Sequence, residues 1–370
     1  MSMKMVRTED TAEWDSIGYT WSGIPARLHW EYALDALRNM KFCNKYEELI
    51  LGLGQKNLPR IGCRRLKNIL ENCTKQLHSH AAAVHEDQNN GDGISTDPQH
   101  CSVCDGTFFP MLLKEMCAVV GFFNKRAQRL LDHHLASGFC KCFIWLGERL
   151  IVRNDVALIQ ECETLIAYAT INAIAMRRIL EKYDKIHYSK QGQAFKSRSV
   201  SMQIEILQSP WLYELMAFHV NLRESRANSG NARVVLDGCS LIFDDGKPSL
   251  CFELIESNKI SIDLTCSICL ETLFDPVSLG CGHLFCYMCA CKASSVSVVD
   301  GLKAACPHKK CPICREVGVY DSAVNLEELH ILLKRSYPEY WEERCINEKA
   351  ERLQQVKQHW QSQAARFMGI

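Results

Sequence analysis

Residues 266–314 carry Cys266-Ser267-Ile268-Cys269, Cys281-Gly282-His283, Cys286-Tyr287-Met288-Cys289 and Cys311-Pro312-Ile313-Cys314. Seven cysteines and one histidine fall in four close pairs, separated by 11, 2 and 21 residues. A closed structural zinc site takes four nitrogen or sulfur donors in a tetrahedron, with thiolate bonds of about 2.3 Å and imidazole bonds of about 2.0–2.1 Å. Each short pair supplies a turn that lets both members face one ion. Eight donors fill two such sites, and their order interleaves them. Cysteines that merely pack in a core do not explain four close pairs in so short a stretch.

Around this stretch, composition sets the bounds. The chain has 370 residues, room for two or three domains. Its 47% hydrophobic content allows sizeable cores. Lys plus Arg balances Asp plus Glu, 43 to 43, so overall charge gives no reason to expect nucleic acid or a membrane surface as partner. The 21 cysteines do not read as a secreted disulfide scaffold, because the chain is long and its first thirty residues lack a continuous apolar run. No window approaches eighteen uninterrupted apolar residues, so no membrane insertion is expected. A reducing compartment is expected, cytoplasm, nucleus or both.

Upstream, the periodicity is helical. Phe42, Tyr46, Leu49, Ile50 and Leu53 share one face, and Leu66, Ile69, Leu70, Cys73 and Leu77 another. Residues 78–100 lack apolar periodicity and are expected to form a flexible loop. Longer patterns run from Met111 to Leu135 and from Asp155 to Asp184, with an interruption expected at Asn172, and a short one from Pro210 to Val220. From Val234 to Leu264 short apolar runs alternate with turn signals such as Asp245-Gly246, which predicts strands. Beyond Tyr320, Leu326, Leu329, Leu332 and Leu333 begin a helical tail that turns polar after Glu342. Cys101-x2-Cys104, taken with His133 and His134 or with Cys140 and Cys142, is too loosely spaced for a further metal site and reads as bundle cysteines. No serine sits in a nucleophile elbow.

The cysteine and histidine order, with histidine fourth, resembles the RING domain. In that family ligand pairs alternate between metals. The resemblance therefore implies one zinc on Cys266, Cys269, Cys286 and Cys289 and another on Cys281, His283, Cys311 and Cys314, both closed and structural. Metal is expected to hold this module together, at about 10–16 kcal/mol per structural zinc in finger peptides. RING proteins catalyse without a nucleophile, by holding a ubiquitin-charged conjugating enzyme so that a substrate lysine can attack its thioester. Ile268 and Pro312 match the family's contact to that enzyme, and Arg315 its linchpin cation, a role suited to a planar multi-donor head. One departure stands out: residues 290–310 lack the family's usual aromatic and hold spare donors in Cys291, Cys306 and His308.

Two segments are locally basic. Residues 40–77 hold eight cations against three anions, and residues 177–198 seven against two. Arg178, Lys182 and Lys185 fall on one helical face, with Lys190 and Lys196 placed off it. Read alone, such a stripe is a solvated face. Met40-Lys41-Phe42 opening a helix, the run RRLKNIL from Arg64 to Leu70 and the run MRRILEKYDK from Met176 to Lys185 are similar to the SPX domain. That resemblance implies a helical hairpin on a long bundle that binds inositol polyphosphates or pyrophosphates through Lys41, Lys67, Arg178, Lys182 and Lys185. Cys63 stands where that family has a tyrosine, four residues before Lys67.

The order SPX then RING resembles the plant ubiquitin ligases of the NLA or benzoic-acid-hypersensitive family. The expected fold class is multidomain: an all-α SPX bundle, a short β segment and a small α+β zinc-bound RING. The expected divisions are an unstructured extension at 1–39, an SPX domain at 40–220, a linker with strands at 221–264, the RING at 265–316 and a helical tail at 317–370. The implied partners are a ubiquitin-conjugating enzyme and ubiquitin, with a membrane phosphate transporter as substrate, which would recruit the protein to the plasma membrane. The competing reading is a non-enzymatic scaffold. Ile268, Pro312 and Arg315 favour the ligase, and the missing aromatic favours the scaffold.

Overall fold

The computed structural model describes residues 42–53, 58–84, 104–139, 148–187, 191–201, 204–228, 239–244, 246–254 and 258–368. The expected extension at 1–39 and the Val234 to Leu236 run lie outside these residues.

The amino-terminal half is helical. Helices α1 (Phe42–Gly52) and α2 (Cys63–Val84) bury Tyr46 and Ile50 from one and Leu66, Leu70 and Cys73 from the other. A single π-turn, Cys104–Phe108, leads into α3 (Phe109–Phe139). The central helix α4 (Glu148–His187) packs on α1, α2, α3, α5 (Gln191–Ser201) and α6 (Pro210–Asn228). Residues 106–132 are long and apolar enough to cross a bilayer. Their buried face, including Leu112, Met116, Phe123 and Ala127, packs inside the bundle as a core helix does.

Several expectations are corrected here. Helix α2 runs on through Val84, so residues 78–84 are helix, not loop; Ala81, Ala82 and Ala83 favour helix without any apolar periodicity. The rest of the expected loop, 85–100, lies outside the described residues. Helix α4 begins at Glu148 and is unbroken at Asn172. That buried side chain is satisfied within the bundle, since its Nδ2 donates to the Tyr168 carbonyl (2.9 Å) and its Oδ1 accepts from the Tyr46 hydroxyl (2.8 Å). The same Tyr46 hydroxyl accepts from the Ile61 N–H (2.9 Å), and Tyr168 donates to the Pro59 carbonyl (2.6 Å), which ties the segment before α2 to the bundle. An asparagine that disfavours an isolated helix is retained because its polar atoms are paired. Helix α5 has too little apolar periodicity to be read from sequence.

The carboxy-terminal half opens with an antiparallel meander, β1 (Cys239–Asp244), β2 (Lys247–Leu254) and β3 (Asn258–Asp263), with Cys239 opposite Phe252 and Ser249 opposite Asp263. Strand β4 (Pro276–Ser278) pairs with both β5 (Leu284–Cys286) and β6 (Val324–Asn325). Helix α7 (Tyr287–Ser294) follows β5, and α8 (Glu327–Ser336) and α9 (Pro338–Met368) close the chain. The two halves share a core, because α8 packs along α6. Glu214 on α6 accepts the N–H groups of Glu328 (2.9 Å) and Leu329 (3.2 Å), capping α8, and Asn221 donates to the Glu328 carboxylate (2.8 Å).

Candidate metal centre and basic surface

Two of the short pairs close the same turn. The Leu270 N–H donates to the Cys266 carbonyl (2.8 Å) and the Cys266 N–H to the Glu271 carbonyl (2.8 Å). The Arg315 N–H donates to the Cys311 carbonyl (3.0 Å) and the Cys311 N–H to the Glu316 carbonyl (2.8 Å). Each turn puts a non-glycine residue at positive φ, 62° for Leu270 and 65° for Arg315. Such backbone costs about 1–3 kcal/mol and persists only where surrounding structure fixes it. The third pair turns through Gly282 at φ 80°, while Cys286 ends β5 and Cys289 lies in α7.

These turns assemble two groups. The donor atoms of Cys266, Cys269, Cys286 and Cys289 lie within 4.8 Å of one another, as do those of Cys281, His283, Cys311 and Cys314. Tetrahedral bonds of the lengths given above place two sulfurs about 3.8 Å apart and a sulfur and a nitrogen about 3.6 Å apart. Cys269 Sγ lies 3.7 Å from Cys286 Sγ, and Cys281 Sγ 3.1 Å from His283 Nδ1. The donor sets, four thiols and three thiols with one imidazole, fit closed zinc sites and leave no coordination position for substrate. The Phe274 N–H donates to Cys286 Sγ (3.3 Å), a contact that favours the thiolate. Neither group takes in the spare donors: Cys291 is buried elsewhere, and Cys306 and His308 are exposed.

The second group touches the helical half. The Tyr213 hydroxyl donates to the Gly282 carbonyl (3.2 Å). A Cβ added at Gly282 would lie 2.5 Å from the Gln208 carbonyl oxygen. Glycine is required here twice, for its φ and for the close approach.

Ile268, Pro312 and Arg315 are all exposed, and among the described residues Arg315 has no ion pair. Sequence reading missed the role of α9, expected to be only a polar tail. It clamps the metal-bearing module: Arg344 pairs with Glu271, Arg352 with Asp275, and Lys292 with Glu351 at 2.9 Å. Trp341 is buried against Phe274, with ring centroids 4.5 Å apart. Burial alone would raise the Asp275 carboxyl, but hydrogen bonds from His330 and Arg352 outweigh it and hold it below the usual carboxylate range. Only the charge pattern of α9 hinted at this contact, and a charge pattern does not name its partner.

Of the basic residues, Lys67 on α2 and Lys182 on α4 are brought together at one carboxylate, Glu71, at 3.5 and 3.0 Å. Hydrogen bonding to Lys182, with its charge, holds the Glu71 carboxyl below its ordinary value. Arg178 pairs with Glu181 at 3.3 Å, and Lys185 is exposed one turn beyond. Lys41 and Lys190 lie outside the described residues. Lys196 sits within the field of Glu205, Arg177 and Glu181. Its ammonium is pushed down to about 8, chiefly by burial.

A RING-type zinc-finger family model matches residues 266–307. The chain is similar to the E3 ubiquitin-protein ligase NLA of Arabidopsis thaliana, 56% identical over 340 residues that cover 90% of this chain and 100% of that protein. It is 53% identical over 331 residues to the probable E3 ubiquitin-protein ligase BAH1-like 1 of Oryza sativa subsp. indica, with 90% and 100% covered. It is 41% identical over 338 residues to the probable E3 ubiquitin-protein ligase BAH1-like of Arabidopsis thaliana, with 89% and 100% covered. No solved structure matches the chain. With a RING-type zinc finger and full-length relatives at this identity, the chain belongs to the NLA and BAH1-like family of RING-type E3 ubiquitin-protein ligases.

Proposed function

We propose that this ligase transfers ubiquitin through the exposed surface around its two zinc knuckles and is regulated by a polyanion bound at the basic face of its helical half. In this reading Cys266, Cys269, Cys286 and Cys289 hold one structural zinc, and Cys281, His283, Cys311 and Cys314 the other. The metals keep the knuckles rigid. Ile268 and Pro312 offer apolar contact to the conjugating enzyme, and Arg315 orients the ubiquitin thioester by multiple hydrogen bonds. The chain supplies no nucleophile, so ubiquitin passes directly from the conjugating enzyme to a substrate lysine.

The observation that carries the regulatory part is the meeting of Lys67 and Lys182 at Glu71, from helices far apart in sequence. Convergent cations on a rigid scaffold suit a compact polyanion, which gains several charge-assisted hydrogen bonds at once. We read the helical half as an SPX domain whose ligand is an inositol polyphosphate or pyrophosphate, held by Lys67, Arg178, Lys182 and Lys185, with Lys41 assigned to the same site by the family resemblance alone. The substrate in this reading is a membrane phosphate transporter, met at the plasma membrane from the cytoplasmic side. Calorimetry of the full chain with inositol hexakisphosphate and with inorganic phosphate tests the ligand assignment. Much tighter binding of the former is expected, and equal affinity would return the lysines to a solvated face.

A further inference from the structure

The side chains of Cys101, His133, His134, Cys140 and Cys142, the donors near Cys104 in sequence, lie outside the described residues. Cys104 meets two other donors, Cys73 from α2 and His187 at the end of α4, and the three donor atoms lie within 4.8 Å of one another. His187 Nε2 lies 3.2 Å from Cys104 Sγ and 3.7 Å from Cys73 Sγ. These separations bracket the sulfur–nitrogen distance of about 3.6 Å expected around a tetrahedral zinc. The shorter of them is close to the 3.1 Å between Cys281 and His283 in the RING module. The ring nitrogen makes one linear hydrogen bond, as donor or acceptor, with one sulfur, whereas one metal ion serves both sulfurs and the ring nitrogen.

We propose that Cys73, Cys104 and His187 form a third metal site, separate from the RING, for a thiophilic divalent ion of the zinc class. Two thiolates and one imidazole are a borderline-soft donor set that selects zinc over magnesium or calcium. Both cysteines are buried and His187 is half-buried, its ring seated on Tyr183 with centroids 4.5 Å apart. The fourth coordination position goes to a water or another donor. Cys104 opens the π-turn, an irregularity that recurs at functional sites. The ion would pin three segments together: α2, the π-turn and the end of α4. Two of them, α2 and α4, carry Lys67 and Lys182, so the site braces the helices on which those lysines stand.

The test is elemental analysis of the full-length protein, purified with a thiol reductant and without chelator, beside a Cys73→Ser/Cys104→Ser double variant and His187→Ala. The wild-type chain should hold three zinc equivalents and each variant two. Should the double variant fail to fold, His187→Ala at its half-buried position and the wild-type count still decide. Two equivalents in the wild type, with or without a Cys73–Cys104 disulfide in peptide maps, would overturn the site. So would three equivalents retained in the variants. A wild-type count of two leaves the RING reading standing, so the two failures are distinguishable.

Discussion

Leu270 and Arg315 occupy the same position in two equivalent turns. Each follows the second cysteine of its pair, stands at positive φ, and returns its N–H to the first cysteine's carbonyl. The turn therefore fixes where each side chain leaves the backbone, and the metal groups fix the turn. Leu270 and Arg315 are both exposed, so neither side chain is needed for packing.

Replacement of Arg315 by alanine or glycine should leave zinc content unchanged and reduce ubiquitin transfer about tenfold or more. Glycine should be the more stable of the two, because it relaxes the left-handed backbone. Thermal melts and single-turnover discharge assays on both variants check this. Full activity in both would remove Arg315 from the transfer surface.

Gly282→Ala should destabilise the protein by about 1–3 kcal/mol, since alanine meets both an unfavourable φ and the Gln208 carbonyl. The loss should appear in the metal-bearing module and in its seating on the helical half together. Hydrogen exchange at residues 279–284 and 206–213 reads both; exchange that rises on one side only would mean the halves are not coupled here.

Glu71→Gln should tighten polyanion binding, because it frees Lys67 and Lys182 from a competing carboxylate. Lys182→Gln/Lys185→Gln should weaken binding, and affinity should fall as salt rises. Exposed Lys125 and Lys357 provide a control pair. Calorimetry in two salt concentrations measures all three, and loss of affinity in Glu71→Gln would contradict the assignment.

Burial pushes the Glu214 carboxyl up to about 8, against the pull of the α8 amides and with help from Glu328 and Glu327. The folded state therefore holds this proton more tightly than the unfolded chain. Its contribution to stability is greatest below the ordinary glutamate range and is lost as pH rises to about 8. Glu214→Gln keeps an acceptor oxygen for one of the Glu328 and Leu329 N–H groups and removes the titration. Urea melts from about pH 6.5 to 8.5 should fall with pH for the wild type and more weakly for the variant. Parallel slopes would show that Glu214 does not titrate in this range.

The four short pairs along residues 266–314 alternate between two groups in space, which is the grouping that resemblance to the RING family implied. Helices α1 and α2 were equally legible, since Tyr46, Ile50, Leu66 and Leu70 repeat at helical spacing on faces that are in fact buried. Asn172 misled because propensity is local and two of its partners, Tyr46 and Ile61, are remote in sequence. The seating of α8 on α6 rests on a buried glutamate and a backbone cap, which periodicity does not express. Cys73, Cys104 and His187 were invisible together because they come from three elements and share no spacing; the sequence offered Cys104 only its near neighbours.

The most direct measurement is discharge of a ubiquitin-charged conjugating enzyme to free lysine, run with a panel of such enzymes and the full-length chain. Wild type should accelerate discharge with at least one of them, Arg315→Ala should lose most of that acceleration with zinc retained, and Cys281→Ala should lose zinc, fold and acceleration together. No acceleration by the zinc-loaded wild-type chain with any conjugating enzyme would contradict transfer through this surface and leave the module a scaffold.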